Sequence, residues 1–286
     1  MTGALLVYPR RFASLVKFEH TVFALPFAYV GAFLAVNGTP SGHDLLWITL
    51  AMVGARTAAM GLNRLIDAEV DARNLRTAQR ELPSGALSRG QVVALCVAAL
   101  ALFVIAAFEL DAVVRWLWPI PVALFGVYPY LKRITWLCHL WLGACLGLAP
   151  VGAWLAVAGS APWEAWTLAG AVVLWVAGFD MFYALLDLDH DRGEGLHSWA
   201  TKWGVTGVFA GARAFHLGAV ALLAATGAGL GTGAWYWLGV GVVACLLVYE
   251  HLLVRPNDLR RLDAAFFTVN GVISLVFFVF VLLDSV

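Results

Sequence analysis

The feature that most constrains this chain is a series of long apolar segments separated by short polar ones. A helix needs about 20 apolar residues to cross the hydrocarbon core of a bilayer, and nine segments come close to or exceed that length. They cover residues 20–37, 44–66, 91–109, 112–131, 135–158, 164–186, 205–229, 234–254 and 263–284. Because helices satisfy their own backbone groups in lipid, the sequence predicts an all-α polytopic membrane protein, a bundle of nine transmembrane helices.

Composition supports the same class. Charged residues make up 13% of the 286 residues, whereas a typical soluble domain has about 25%. The net charge at pH 7 is zero, so bulk charge gives no indication of a nucleic-acid partner. The four cysteines all lie inside apolar segments and form no CxxC pair, which argues against a thiolate metal site or a redox site.

The basic residues divide unequally between the two sides that nine spans would create. Fifteen of the 18 Lys and Arg residues fall at the N-terminus and in the loops of one side. The opposite loops contain only Arg115, and Arg56 and Arg213 lie within spans. The positive-inside rule places the basic side in the cytoplasm. We therefore expect an integral protein of the cell (inner) membrane with its N-terminus inside and its C-terminus outside.

Two acidic clusters follow long apolar segments on this basic side. In the first, Asn63, Asp67 and Asp71 are spaced by four residues and share one face of a helix. Two carboxylates on one face repel each other unless a cation holds them. The second cluster, 120 residues later, contains Asp187 and Asp191 at the same spacing. The sequence therefore indicates a helix with an acidic cytoplasmic end, used twice.

The second cluster extends inward along its helix. Asp180 and Tyr183 precede Asp187 at spacings of three and four residues, which predicts one helical face. Asp180 lies inside the sixth apolar segment, and an ionisable group within a membrane is a functional hypothesis by default. Asp180 is about 10 Å deeper than Asp187, at 1.5 Å per residue. We predict that Asp180 and Tyr183 act on the chemistry; the alternative is a structural bridge between Asp180 and Arg56 or another buried cation.

Carboxylate pairs from two helices suit a hard cation. Mg²⁺ commonly takes one or two carboxylates, keeps water ligands and binds a substrate phosphate, while the oxygen-rich neighbourhood argues against zinc or copper. The basic residues nearby would then contact an anion; they are Arg73, Arg76, Arg80, Lys132 and Arg133. Metal ions and basic groups around one anion stabilise a departing phosphate.

The motifs resemble those of the UbiA superfamily of intramembrane aromatic prenyltransferases. "NRLIDAEVDARNLRTAQRELPSG", residues 63–85, fits the family pattern N-x-x-x-D-x-x-x-D followed by a basic segment and a Pro-Ser-Gly turn. "YALLDLDHD", residues 183–191, fits Y-A-x-x-D-x-x-x-D, and "YPYLKR", residues 128–133, resembles the loop between the fourth and fifth spans. The resemblance covers the whole chain. It departs at Arg64, where many members have Asp, and at Leu186, where Gln is frequent.

The resemblance implies a single membrane domain over residues 1–286, with a central cavity that opens at the cytoplasmic side. It implies that Mg²⁺, as two ions, bridges the two motifs to the diphosphate of a polyprenyl donor. An allylic cation then forms, and an aromatic ring carbon attacks it. The implied metal ligands are Asp67, Asp71, Asp187 and Asp191. The expected diphosphate-binding residues are Arg56, Asn63, Arg76, Arg80, Lys132 and Arg133.

Residues 15–35 and 135–157 are similar to the branch of the family that prenylates an aromatic carboxylic acid. The implied reaction transfers a polyprenyl group to 4-hydroxybenzoate, or to a naphthoate, in ubiquinone or menaquinone biosynthesis. The partners are these substrates and the lipid bilayer. A cation-coupled transporter is the alternative class, and a non-catalytic scaffold is another. His139 is interpreted as interior packing, and His20 as either an acceptor-site or an interfacial group.

Overall fold

All regular structure in the described part of the chain is helical. The computed structural model describes residues 12, 15, 21–254, 259, 262 and 268–286. The helices, in chain order, are α1 Thr21–Val36, α2 Gly42–Arg73, α3 Arg89–Glu109, α4 Val114–Leu117, α5 Pro119–Leu131, α6 Cys138–Ala158, α7 Trp163–Tyr183, α8 Leu188–Gly193, α9 Trp199–Leu230, α10 Ala234–Leu253 and α11 Asn270–Ser285. A 3₁₀ turn, Ala184–Asp187, connects α7 to α8. The all-α prediction is confirmed.

Six helical stretches within the described residues are long and apolar enough to cross a membrane. They are Gly42–Arg73, Arg89–Glu109, Cys138–Ala158, Trp163–Gly193, Trp199–Leu230 and Ala234–Leu253. Apolar helices also occur at Ala24–Val36 and Asn270–Ser285, but they are shorter. The chain is therefore an integral membrane protein, whereas the count of nine spans stays a prediction.

The predicted span at 112–131 is not one continuous helix. It is divided at Trp118 into the four-residue helix α4 and the 13-residue helix α5. Proline lacks a backbone N–H and fixes φ, so it is accommodated at the start of a helix and disrupts an interior. Pro119 accordingly begins α5, and Pro121 follows in its first turn.

Helix α7 belongs to the most buried of the six long apolar stretches. It contacts α6 on one side and α9 on the other, while α2 packs against α3. Gly143 and Gly147 of α6 allow a close approach to α7, because a Cβ at Gly143 would overlap the Val173 carbonyl and one at Gly147 would crowd Ala169. Small residues permit such backbone contact between membrane helices. These contacts lie at Ala169 and Val173, about two to three helical turns before Asp180 on the same helix.

Helix ends position the polar loops at one end of the bundle. Helix α2 continues to Arg73, beyond the predicted end of its span at residue 66, so that Asp67 and Asp71 lie on its last two turns. Helix α9 begins with a capping box, in which Ser198 accepts from the Thr201 N–H and Thr201 accepts from the Ser198 N–H. Such caps satisfy backbone donors that a helix start leaves unpaired. The loop after the second acidic cluster therefore ends at Ser198, the N-cap of α9.

Candidate functional site

The first acidic cluster lies on one face of α2, as its spacing predicts. Asn63 Nδ2 donates to Asp67 Oδ2 at 3.3 Å. Asp67 and Asp71 are both buried, with residue exposures of 5% and 8%. Burial of two carboxylates on one helix face requires positive partners, and the structure contains them on neighbouring loops.

Asp71 is held by two arginines. Arg80 Nη1 donates to both carboxylate oxygens at 2.7 Å, and the buried Arg64 places its Nη1 3.9 Å from Asp71 Oδ2. Thr77 Oγ1 donates to the backbone carbonyl of Asp71 at 2.9 Å. The segment after α2 therefore folds back onto the last turn of the helix. Arg64, a departure from the family pattern, faces the same carboxylate as Arg80 and also donates to the Leu15 carbonyl at 3.4 Å.

Asp67 is held from a different loop. Arg133 Nη2, in the segment between α5 and α6, donates to Asp67 Oδ1 and to the Ile66 carbonyl, each at 3.2 Å. The neighbouring Lys132 is close enough to interact electrostatically with Asp67 and with the second cluster. Its backbone carbonyl accepts from the His197 N–H at 2.6 Å. This loop therefore contacts both acidic segments.

The second cluster does not continue one α-helix. Helix α7 ends at Tyr183, the 3₁₀ turn contains Asp187, and α8 contains Asp191. A 3₁₀ turn has three residues per turn rather than 3.6, so Asp180, Tyr183, Asp187 and Asp191 do not lie on one continuous α-helix. Tyr183 and Asp187 nevertheless contact the same side chain, that of Arg76.

Arg76 connects the two clusters. Its Nε donates to Asp187 Oδ1 at 2.8 Å, its Nη2 contacts Asp187 Oδ2, and its Nη1 donates to the Tyr183 hydroxyl at 3.0 Å. Asn74 Nδ2 also donates to Asp187 Oδ1, at 2.9 Å. Burial alone would lower the pKa of Arg76, but the bonds to Asp187 and the nearby Tyr183 raise that pKa above its ordinary value. Segments 111 residues apart thus form one polar region.

A second link lies at the edge of the same region. Arg73 donates to Glu194 through Nη2 at 2.7 Å and through Nε at 3.1 Å. The hydrogen bond from Arg73 is the main reason why the pKa of Glu194 lies below its ordinary value. The same ion pair borders a cleft of about 430 Å³ that Glu69, Arg89 and Arg133 also line.

Asp180 pairs with His139 rather than with Arg56. His139 Nδ1 lies 2.7 Å from Asp180 Oδ2, and His139 Nε2 accepts from the Trp199 N–H at 3.2 Å. Arg56 as the partner of Asp180 is therefore wrong, whereas a bridge from Asp180 to another buried group is present. His139 is in the interior, as interpreted, but it also makes this polar contact. Tyr128 lies close enough to interact electrostatically with both Asp180 and Asp67, which relates this pair to the first cluster.

Arg56 is the predicted diphosphate residue that lies apart from the others. Its Nε is buried and has no hydrogen-bond partner among the described residues. It lies seven residues before Asn63 on α2, or about 10 Å deeper at 1.5 Å per residue.

A second cleft, apolar and about 190 Å³, lies between α2, α3 and α5 and includes Ala55, Leu62 and Cys96. His20 lies outside the described residues.

The donor set fits a hard divalent cation by its chemistry. Asp191 is buried at 8% exposure and forms no ion pair within the part of the chain that the structure describes. Carboxylate oxygens are the ligands that Mg²⁺ prefers. The other three predicted ligands contact arginines, and no group of three or more His, Cys, Asp or Glu side chains among the described residues is close enough to hold a metal. Metal binding would therefore require the arginines to exchange partners.

Comparison with protein families gives a match over most of the chain. The model described as the UbiA prenyltransferase family matches residues 24–278. Two similar curated proteins are both called 4-hydroxybenzoate octaprenyltransferase. The one from Aromatoleum aromaticum is 30% identical over 89% of this chain and 86% of its own length. The one from Pseudoalteromonas translucida is 31% identical over 88% and 85%.

Solved structures show the same fold. The apo structure of a UbiA homolog from Aeropyrum pernix aligns with a TM-score of 0.85 and 34% identity, over 94% of this chain and 98% of that one. A UbiA homolog from Archaeoglobus fulgidus, bound to DMAPP and Mg²⁺, aligns with a TM-score of 0.69 over 96% and 98%. Its identity is 18%, so that this second likeness concerns the fold alone. These matches give no support to the transporter alternative.

Proposed function

Because the chain belongs to the UbiA prenyltransferase family, we propose that it transfers a polyprenyl group from an allylic diphosphate to the ring of 4-hydroxybenzoate. The alternative acceptor is a naphthoate, which is also an aromatic carboxylic acid. The relatives that are 30–31% identical over most of the chain act, by name, on 4-hydroxybenzoate. The reaction belongs to the biosynthesis of a prenylated quinone.

The reaction exchanges one bond for another. The carbon–oxygen bond between the allylic carbon and the diphosphate breaks, and the diphosphate leaves with the electron pair. A ring carbon of the acceptor bonds to the allylic carbon and then loses its hydrogen as a proton, which restores aromaticity. The enzyme must therefore stabilise negative charge on the leaving group and exclude water from the allylic cation.

The donor diphosphate is assigned to the polar region that Arg76 connects. Arg76, Arg80, Lys132 and Arg133 contact or approach the carboxylates of both clusters, and they would transfer these contacts to phosphate oxygens. Arginine forks bind carboxylate and phosphate in similar geometry. Asn63 would bind a phosphate oxygen through the amide that now donates to Asp67.

A divalent cation is assigned to the four carboxylates. Asp67 and Asp71 from α2, with Asp187 and Asp191 from the second segment, would hold Mg²⁺, and two pairs suit two ions. When bound, Mg²⁺ neutralises charge on the departing diphosphate as a Lewis acid. The arginines released from these carboxylates would remain beside the same anion.

The acceptor is assigned to the deeper residues. Asp180 would accept a hydrogen bond from the ring hydroxyl and enrich the ring carbon that attacks. The Arg56 guanidinium, whose Nε is buried, suits the acceptor carboxylate better than the diphosphate, because it lies about two helical turns deeper than Asn63. The Tyr183 ring, 5.3 Å from the Arg76 guanidinium carbon, would lie beside the allylic cation and stabilise it by a cation–π contact.

One observation carries the proposal: Arg76 and Asn74, which follow the first acidic motif, both bind Asp187 of the second motif. The proposal also includes the orientation, the number of spans, the domain and the cavity. We place this end of the bundle at the cytoplasmic face of a bacterial inner membrane, with nine spans in one domain over residues 1–286 and a central cavity that opens there.

The test is product formation by the purified chain in proteoliposomes. An octaprenyl diphosphate, 4-hydroxybenzoate and Mg²⁺ should give prenylated acid and diphosphate in equal amounts, measured by mass spectrometry and a phosphate assay. Asp187→Asn should lose most of this turnover. The matched control is Asp189→Asn, which changes an exposed neighbour and should retain the turnover. Diphosphate release without prenylated acid, or equal loss in both variants, would contradict the proposal.

A further inference from the structure

A buried contact joins three elements next to the proposed reaction site. His139 is in the first turn of α6 and is 4% exposed. One ring nitrogen, Nδ1, lies 2.7 Å from Asp180 on α7, and the other, Nε2, lies 3.2 Å from the backbone N of Trp199 on α9. The imidazole therefore contacts a side chain on one side and a helix start on the other.

The contact to α9 determines which nitrogen carries the proton. A backbone N–H can only donate, so Nε2 must accept from Trp199 and carry no hydrogen. The proton then resides on Nδ1, where it can be donated to Asp180. The two bonds are therefore compatible with one neutral tautomer.

The contact with His139 engages only one of the two carboxylate oxygens of Asp180. Oδ2 accepts from His139, while the second oxygen accepts no hydrogen bond within the described residues, and the Asp180 side chain is 17% exposed. Tyr128 lies close enough to interact electrostatically with both Asp180 and Asp67, which relates Asp180 to the first acidic motif. The carboxylate thus has one fixed oxygen and one accessible oxygen.

We infer that His139 is a positioning residue: as a neutral imidazole it bridges the N-terminus of α9 and Asp180, and so presents the second Asp180 oxygen to the acceptor hydroxyl. This inference rests on the proposed function, because the acceptor role of Asp180 is part of that proposal. His139 itself touches neither substrate. Its effect is to fix the rotamer of Asp180 and to tie that rotamer to the loop that follows the second acidic motif.

Two amide substitutions separate the two bonds of His139. Asn places its Nδ2 where Nδ1 was, so His139→Asn keeps a donor for Asp180 and loses the acceptor for Trp199. Gln places its amide near the position of Nε2, so His139→Gln keeps the acceptor and loses the donor. The matched control pair is His197→Asn and His197→Gln, because His197 is exposed and lies in the loop between α8 and α9.

The kinetic test varies acceptor and donor separately. We expect His139→Asn to keep kcat within about threefold, and His139→Gln to lower kcat by about tenfold to a hundredfold, the range for a misplaced catalytic group. The donor KM should stay within twofold in both variants. Equal loss in the two variants, or greater loss in His139→Asn, would show that only the helix contact matters and would overturn the inference.

A second measurement does not depend on turnover. In the wild-type chain labelled with ¹⁵N-histidine, the His139 signals, assigned by their absence in His139→Asn, should show one protonated and one unprotonated ring nitrogen near neutral pH. A doubly protonated ring would overturn the inference even if the enzyme is active. If the wild-type chain forms no prenylated acid, the proposed function fails, whereas this tautomer result stands by itself.

Discussion

Replacement of Arg76 perturbs one of two side chains, the other being Asn74, that follow the first acidic motif and bind Asp187 of the second. Arg76→Lys keeps the positive charge but loses the two-pronged geometry, and Arg76→Ala loses both. In the free protein, Arg76 contacts Asp187 through two nitrogens and the Tyr183 hydroxyl through a third. The side chain is 34% exposed, so solvent screening reduces the net contribution of the pair to about 1 kcal/mol of stability.

The effect on the donor should be larger than the effect on folding. A hydrogen bond to a charged group contributes about 1.5–3 kcal/mol, which corresponds to roughly 10- to 150-fold in binding. We therefore expect Arg76→Ala to raise the donor KM by that factor and Arg76→Lys by about tenfold. The acceptor KM should stay within twofold, because the acceptor carries no diphosphate.

The assay is steady-state kinetics in proteoliposomes with each substrate varied at saturation of the other, alongside the melting temperature of each variant. Arg192→Ala is the control, because Arg192 is an exposed cation on α8 at the same end of the bundle. If Arg76→Ala raises both KM values equally, or if it behaves like Arg192→Ala, the assignment of Arg76 to the diphosphate is refuted.

Three further predictions concern other parts of the molecule. Arg56→Gln should raise the KM of an acceptor with a carboxylate but not that of a neutral phenol; an equal change for both would oppose the acceptor role of Arg56. Gly143→Leu should lower stability by about 1–3 kcal/mol or more, seen as a lower melting temperature, because the side chain would overlap Val173. The lowered pKa of Glu194 means that its pair with Arg73 stabilises the fold above the ordinary Glu value of 4.5 and that this contribution is lost as pH falls through the lowered pKa. Glu194→Gln should therefore melt below the wild type at pH 7 and converge with it in acid; a constant difference would contradict this.

The helical class and the acidic motifs could be predicted because each depends on local periodicity. Apolar length gave most of the helices, and the four-residue spacing placed Asn63, Asp67 and Asp71 correctly on α2. The boundary of α2 was less predictable, because polar residues that leave the bilayer can continue the same helix to Arg73. The division of the predicted span at 112–131 agrees with proline chemistry, because Pro119 begins α5.

The partners of the charged residues could not be predicted, because they depend on contacts between distant segments. Asp180 and His139 are 41 residues apart, and Arg76 and Asp187 are 111 apart. No spacing in the sequence distinguishes His139 from Arg56 as the partner of Asp180. A weak signal was present: His139 follows Lys132 and Arg133 closely, and so lies at the same end of the bundle as the acids.

The 3₁₀ turn at Ala184–Asp187 was also beyond the sequence pattern. Its residues, "ALLD", contain no proline or glycine that would mark an interruption. The turn coincides with the residue that accepts from both Arg76 and Asn74. Tertiary contacts at Asp187 therefore accompany a local geometry that helix propensity alone does not predict.

The most direct test of the central claim is Mg²⁺-dependent binding of a donor analogue, measured by calorimetry on the purified chain. The analogue keeps the diphosphate but has a bond to the allylic carbon that cannot break. If both acidic motifs form one metal-assisted diphosphate site, Asp67→Asn and Asp187→Asn should each weaken this binding about tenfold or more, and without Mg²⁺ all three proteins should bind equally weakly. Equal Mg²⁺-dependent affinity of Asp187→Asn and the wild type, with loss only in Asp67→Asn, would contradict a single site built from both motifs.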